Sequence, residues 1–487
     1  MSIDPRKVSA VIRTRGERDL SEIIPTLPYD EIIVSYDDDG KGIYGRWEAA
    51  MNAKHDVVYF QDDDLIFRRH FALCDAFQDD GRAYCQMRPE WWKGQGYYDL
   101  CLVGEGALVP KDVIMPALNR YLEVYDADDD FYRHTDFIMG VLLYHQKLDF
   151  GVEILDAASD DSALWRMPDQ QEGKWRAVQK ARALRKIVLT LLTKNEGENI
   201  QLAISSAFPW FDSVLIHDTG SEDDTIERAQ ATCDQFEVPL VVRKVEMQMT
   251  SADRPNFGDA RARLLADARQ FGDYQLLMDA DEEWINVPVE RPELSQDSYM
   301  LHYAGDYDWA QPRLIRSGVD WIWMDEVHSW LGAETPDIQE IHLNEPLIVH
   351  HGEVRGTNSE RLEKDVVDIL AILDDEPLNH RAIFNLAKAL DGLGQKEQAR
   401  EAFRVRSEMG GWPEEQWYAK YRLGCLECIE NFEQGSLILL EAWRDRPWRI
   451  EPLRALASFA SQAADLAPYP EGEALFVQRK HYRTQED

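Results

Sequence analysis

The chain has 487 residues, of which 44% are hydrophobic and 10% aromatic. That is enough for roughly two to four domains with cores of their own, and it excludes an intrinsically disordered chain. Fifty-three Lys and Arg against ninety Asp and Glu leave a formal charge of −37, a field that opposes binding of polyanions such as nucleic acid or an anionic membrane surface.

No stretch approaches the ~20 apolar residues of a membrane helix. The N-terminal MSIDPRKVSAVIR has no apolar signal core. The six cysteines are scattered as in a reducing compartment, so a cytoplasmic location is expected.

The first elements alternate between strand and helix. Val8–Thr14 is an apolar strand, and Glu31–Tyr36 a second that closes on Asp37-Asp38-Asp39-Gly40. Ile43–Ala53 has helical periodicity, and Val57–Phe60 is a third strand running into Asp62-Asp63-Asp64. This predicts an α/β domain with a mainly parallel sheet over residues 1–170.

A polar stretch, Pro168–Lys186, reads as a connector, with 171–186 as the linker proper. Its basic residues Lys174, Arg176, Lys180, Arg182, Arg185 and Lys186 form a solvated helix face or, alternatively, an acceptor-binding strip. The strand–helix order then repeats over 187–357. Ile187–Thr193 leads into Lys194-Asn195-Glu196, Ser213–His217 into Asp218-Thr219-Gly220-Ser221, and Tyr274–Met278 into Asp279-Ala280-Asp281-Glu282.

From Ser359 strand signals vanish, and helices are predicted through residue 467, before a loose tail of 468–487. NLAKALDGL, Gly394 and Lys396–Met409 form a helix–turn–helix with small residues where helices cross. Cys425 and Cys428 make a lone CxxC inside a helix, which is read as structural rather than a zinc site.

Two carboxylates one residue apart at the end of a buried strand form a hard oxygen-donor set in the crevice where α/β sheets bind ligands. Asp62/Asp64 and Asp279/Asp281 both fit Mn²⁺ or Mg²⁺, which would neutralise charge on a departing nucleoside diphosphate. Asp63 and Glu282 are spare ligands or surface charge. In LIVHHGE, His350 or His351 is a candidate third ligand, with a hydrogen-bonded structural histidine as the alternative.

The second segment resembles the family 2 glycosyltransferases of GT-A fold in LLTKNEGENI, HDTGSEDDT, FGDARARLLADA and LLMDADEEW. The resemblance implies that Thr193, Asn195 and Glu196 line the nucleotide pocket and that Asp218 holds the base or ribose. It also implies that Gly220 lets the chain pass closely and that Asp279 and Asp281 bind metal. MDEVHSWL resembles the segment before the acceptor site, which makes Asp325 or Glu326, beside His328, the candidate base of an inverting displacement; a surface turn is the alternative. Thr219 departs from the residue many relatives carry. The tail, GGWPEE above all, is similar to the tetratricopeptide-like extension of one branch of these enzymes.

The first segment resembles GT-A enzymes more loosely. Thr14 and Arg15 stand at the nucleotide-pocket position, Asp37 and Asp38 at the second strand, FQDDDLIF at the metal motif, and LVGEGALVPKDV at the acceptor loop. RHTDFIMG puts Asp136 where members place a catalytic acid or base. Gly40, Gly42 and Gly45 spell GxGxxG, but after the second strand, so they read as a flexible loop and not as a dinucleotide site.

The expectation is therefore two tandem GT-A domains, Rossmann-like, with an all-α tetratricopeptide-like domain. The chain would transfer sugar from a UDP- or GDP-sugar with Mn²⁺ or Mg²⁺ to a glycan, a protein or a modified DNA base. A sugar nucleotidyltransferase, or a helical-repeat interaction protein with degenerate sugar-nucleotide domains, are the alternatives. The helical tail points to a protein partner or self-association.

Overall fold

A computed structural model describes residues 2–38, 40–94, 97–155, 168–305, 310–324, 329–335, 337–351 and 359–466. The first part contains β1 (Val8–Thr14), β2 (Glu31–Tyr36), α1 (Tyr44–Met51), β3 (Val57–Asp62), β4 (Leu65–Ile66), α2 (His70–Ala76), β5 (Ala83–Gln86) and α3 (Pro89–Gly94). It continues through β6 (Ala107–Pro110), α4 (Ile114–Leu122), α5 (Asp129–Leu142), β7 (His145–Leu148), β8 (Glu153–Ile154) and α6 (Pro168–Ala183).

The second part holds β9 (Ile187–Thr193), α7 (Gly197–Ala207), β10 (Ser213–Asp218), α8 (Thr225–Gln235), β11 (Leu240–Lys244), α9 (Phe257–Ala268) and β12 (Tyr274–Asp279). After it come β13 (Glu282–Ile285), β14 (Ser298–Tyr303), β15 (Ala310–Arg316), β16 (Trp321–Met324), β17 (Trp330–Ala333) and β18 (Glu340–His350). The last part is helical: α10 (Ser359–Asp375), α11 (His380–Gly392), α12 (Lys396–Glu408), α13 (Pro413–Glu430), α14 (Phe432–Asp445) and α15 (Glu451–Leu466).

Two main sheets result, of order β2-β1-β3-β6-β5-β7 and β11-β10-β9-β12-β15-β14-β18-β13. Both are mixed, with parallel pairs the more numerous in each, where the sequence predicted a mainly parallel sheet over residues 1–170. β1, β2 and β3 are parallel, as are β9, β10, β11 and β12, but β6 and β15 join antiparallel. Every residue of β1 is buried, because its alternate side chains enter two cores. Val11 packs on one face with Val58 and Phe60, and Val8, Ala10 and Ile12 on the other with Tyr59.

The chain divides into two compact units. One comprises the described residues within 1–246, 260–323 and 331–352 and so contains both main sheets; the other comprises those within 247–259, 324–330 and 353–487, including α10–α15. Pro168–Lys186 is not a solvated connector. Ala177, Val178 and Ala181 of α6 are core residues. Arg182 and Arg185 converge on Asp99, at 2.7 and 2.6 Å, and Asp99 is 0% exposed. Of the six basic residues, Arg176 and Lys180 pair with Asp130 and Asp128 on α5 and its cap, and Lys186 with Asp212.

Charge pairs also join the two sheets' neighbourhoods within this unit. Arg82 meets Asp320 at 2.6 Å, Arg120 meets Asp273 at 2.5 Å, and Arg185 donates to the Leu294 carbonyl. In the helical unit Asn379 and Asn431 cap α11 and α14, accepting from Ala382 and Gln434 N–H. Gly435 lets α14 approach α13, since a Cβ there would lie 2.3 Å from the Cys428 backbone nitrogen. Cys425 and Cys428 are buried thiols packed on Leu439. No described helix is long and apolar enough to cross a membrane.

Candidate functional site

The carboxyl ends of β10, β9 and β12 lie side by side. In register Asp218 stands opposite Thr193 on one side, and Asp279 opposite Leu192 on the other. Brief apolar strands ending in polar residues place these groups at one sheet edge.

Thr193 is buried, and its Oγ1 has no hydrogen-bond partner among the described residues. Its carbonyl accepts from the Thr219 N–H at 2.9 Å. Asp218 is buried, with Oδ1 accepting from the Ser221 N–H at 2.9 Å. Asn195 adopts a left-handed backbone (φ 56°), tolerable for Asn. Its Oδ1 accepts from Glu222 N–H at 2.8 Å, tying the two loops together. Glu196 accepts from Asn199 Nδ2 at 2.8 Å at the start of α7. Gly220 adopts φ 103°, a conformation that L side chains rarely take, and nothing lies within 4 Å of a Cβ built there.

Next to this edge, Asp281 Oδ2 lies 3.3 Å from His350 Nε2. The antiparallel pairing of Glu282 with His350 across β13 and β18 brings them together. The two histidines part company here, since His351 Nε2 turns to Glu283 at 2.7 Å. Asp279 accepts from Arg261 Nη2 at 2.8 Å. Burial pushes its carboxyl up, but Arg261, Arg313 and His350 outweigh that and hold it below its ordinary value.

Glu282 is neither a spare ligand nor surface charge. It is 1% exposed and bound by Arg313 at 2.5 Å and by the Tyr303 hydroxyl at 3.0 Å. Asp325, Glu326 and His328 lie outside the described residues.

The first sheet builds a different cluster. Arg46 of α1, 2% exposed, reaches Asp62 at 2.5 Å and Asp136 at 3.0 Å. Asp136, on α5, also accepts from Trp47 Nε1 at 2.8 Å. Burial pushes Asp136 up to about 6, with Arg46 opposing. Asp64 is likewise raised to about 6 by burial and the neighbouring Asp62. Arg18 pairs with Asp63 and lies 3.7 Å from Asp64.

At the position predicted for the nucleotide pocket Thr14 is buried, accepting from Gly16 N–H at 3.1 Å, while Arg15 and Asp38 are exposed. Asp37 accepts from Arg13 Nη2 at 2.8 Å and from Gly42 N–H at 3.0 Å. The GxGxxG loop therefore wraps an arginine. A Cβ at Gly45 would lie 2.2 Å from the Arg13 guanidinium carbon.

Arg13, Arg18, Arg46, Arg261 and Arg313 are the residues that sequence reasoning missed. Among the described residues no group of three or more His, Cys, Asp or Glu side chains is gathered for a metal. Asp281 and His350 still offer a carboxylate oxygen and an imidazole nitrogen side by side, a donor pair suited to Mn²⁺ with further ligands from a diphosphate. Asp62 and Asp63 pair with Arg46 and Arg18, and among the described residues no imidazole is paired with either of them.

No protein-family model matches the sequence, and no curated protein does. Parts of solved structures are similar. Glucosyl-3-phosphoglycerate synthase from Mycobacterium tuberculosis, in complex with Mn²⁺, uridine diphosphate and phosphoglyceric acid, is 30% identical over 22% of this chain and 37% of its own, with a TM-score of 0.17. Its complex with Mg²⁺ and uridine diphosphate is 31% identical over 22% of this chain and 36% of its own, TM-score 0.17. A structure described as a mycobacterial protein is 32% identical over 22% and 34%, again at 0.17. The chain thus spans little more than a third of the length of these structures.

Proposed function

We propose that residues 187–357 form a metal-dependent glycosyltransferase domain using a nucleotide-diphosphate sugar. The observation that carries this reading is the pairing of Asp281 with His350, beside Asp279, at the edge where β9 and β10 present Thr193 and Asp218. Thr193 and Asp218 contact the nucleoside, and the unpartnered Thr193 Oγ1 gains a bond there. Asn195, Glu196 and Gly220 shape the loops around it.

Asp281 and His350 hold the divalent ion, with Asp279 beside them. A bound Mn²⁺ or Mg²⁺ would stabilise the charge of the leaving diphosphate. Arg261 keeps Asp279 ionised and oriented. Asp325 or Glu326 deprotonates the acceptor hydroxyl in an inverting displacement. The donor is a UDP- or GDP-sugar, and the acceptor is a hydroxyl of a glycan, a protein or a modified DNA base.

Residues 1–170 form a second GT-A-like module, and 358–467 a tetratricopeptide-like domain with a protein partner. The Arg46 bridge between Asp62 and Asp136 supports a site in the first module, with Asp136 as its acid or base. The test is Mn²⁺-dependent hydrolysis of UDP- and GDP-sugars. Asp281→Ala abolishes it under this reading while the melting temperature is kept. Full activity in that variant rejects the assignment.

A further inference from the structure

β14 and β18 run parallel, with Met300 opposite His342 and Leu301 opposite Leu343. There the register breaks. His302 stands opposite Leu347, so β18 bulges over residues 344–346. Side chains alternate across a strand, so Met300 and His302 share one face, and His342, opposite Met300, shares it too. Leu301 is fully buried on the other face. Two imidazoles therefore meet at the sheet surface. His342 Nδ1 lies 3.2 Å from His302 Nε2, with the ring centroids 5.3 Å apart and the planes tilted by 49°.

At an exposed position a hydrogen bond between two neutral rings adds little to stability, because water serves each ring nearly as well. The spacing fits another use. Zn²⁺ takes imidazole nitrogen at about 2.0–2.1 Å, so two such ligands on a tetrahedral ion stand about 3.3 Å apart. His302 keeps a further contact of its own; an ion requires of it only Nε2, which faces His342. Among the described residues no third His, Cys, Asp or Glu is gathered with them, so water would complete the shell, as it does in open sites. Imidazole favours Zn²⁺, Ni²⁺ and Cu²⁺, whereas carboxylate oxygen favours Mg²⁺ and Mn²⁺.

We propose that His302 and His342 form a transition-metal site for Zn²⁺ or a similar imidazole-seeking ion. His342 stands near the start of β18 and His350 at its end, so this is a second site, independent of the donor-site reading. Two coordinate bonds replace one hydrogen bond and fasten β14 to β18 beside the register shift. Bulges commonly re-aim side chains, and here the re-aimed pair is a chelate.

The test is calorimetric titration of Zn²⁺ into the full chain carrying Asp281→Ala, in excess Mg²⁺. The substitution removes the carboxylate beside His350, and Mg²⁺ fills carboxylate sites while leaving imidazole. The six cysteines are buried and do not compete in the folded chain. This parent is expected to bind a single equivalent. Adding His342→Ala, at an exposed position, is expected to weaken binding by about tenfold or more, the loss seen even when groups behind a ligand are removed. Zn²⁺ should also raise the melting temperature of the parent and not that of the His342→Ala chain.

Zn²⁺ affinity unchanged by His342→Ala overturns the site, and so does a parent that binds no Zn²⁺. If His342→Ala melts below its parent in chelator, His302→Gln decides. A loss of about tenfold at unchanged melting temperature supports the site, and parental affinity overturns it.

Discussion

Asp281 and Glu282 are neighbours with opposite fates. Asp281 faces His350 at the sheet edge, whereas Glu282 is sealed beneath it on Arg313. Arg313→Met therefore leaves a buried carboxylate unpaired and should cost about 3–5 kcal/mol, read as a lowered denaturation midpoint. His350→Ala should leave that midpoint in place and weaken Mn²⁺-dependent UDP binding by about 10- to 100-fold. Nucleotide binding that persists unchanged in His350→Ala would remove the imidazole from the metal set.

The acidic strand ends were legible in the sequence because an apolar run stopping on carboxylates has few other uses. The arginines were not. Arg46 sits in a helix of ordinary polarity, and only the structure shows its guanidinium between Asp62 and Asp136. A faint signal existed in the glycines, for Gly104 leaves the space that the Asp62 carboxylate fills.

Among the elements, α6 departs most from expectation. Its basic and Gln-rich composition reads as a solvated connector, because long cationic side chains are mostly exposed. Here they pair one by one, and Asp99 takes two of them in a buried site. Burial pushes the Asp99 carboxyl up, but Arg185 and Arg182 overcome this and draw it down to about 2.

A carboxyl depressed in the folded state contributes stability above its unfolded value and loses it as pH falls toward the folded one. About 2 kcal/mol should thus be lost between roughly pH 4 and pH 2. Denaturation of wild type and Asp99→Asn across that window checks this, the variant showing the shallower acid slope.

The strands β1, β2 and β9 match their apolar runs residue for residue. The antiparallel joins at β6 and β15 were hidden, since strand direction leaves no mark in a short apolar run. In the helical unit, Gly435→Ala should cost about 1–3 kcal/mol by forcing α14 off the Cys428 backbone, measurable in thermal melts.

For the molecule as a whole, a charge of −37 would keep copies apart in solution. Within the unit that holds both sheets, attraction is concentrated in few places: Arg82 on Asp320, Arg120 on Asp273, Arg185 spanning Asp99 and Leu294. A fragment of residues 187–487 would deprive Asp273 of Arg120 and leave Asp320 with Arg269, 3.7 Å away, in place of Arg82, and is expected to be less stable and more prone to aggregate than the full chain. Monodisperse behaviour on size exclusion would count against that expectation.

These contacts carry a consequence for descent. The second half keeps two carboxylates, Asp273 and Asp320, whose counter-ions Arg120 and Arg82 are encoded in the first half of the sequence. Shuffling one half into a foreign partner would strand them, so the two halves are heritable only as a matched set. Changes at Arg82 and Asp320, or at Arg120 and Asp273, should then appear in pairs.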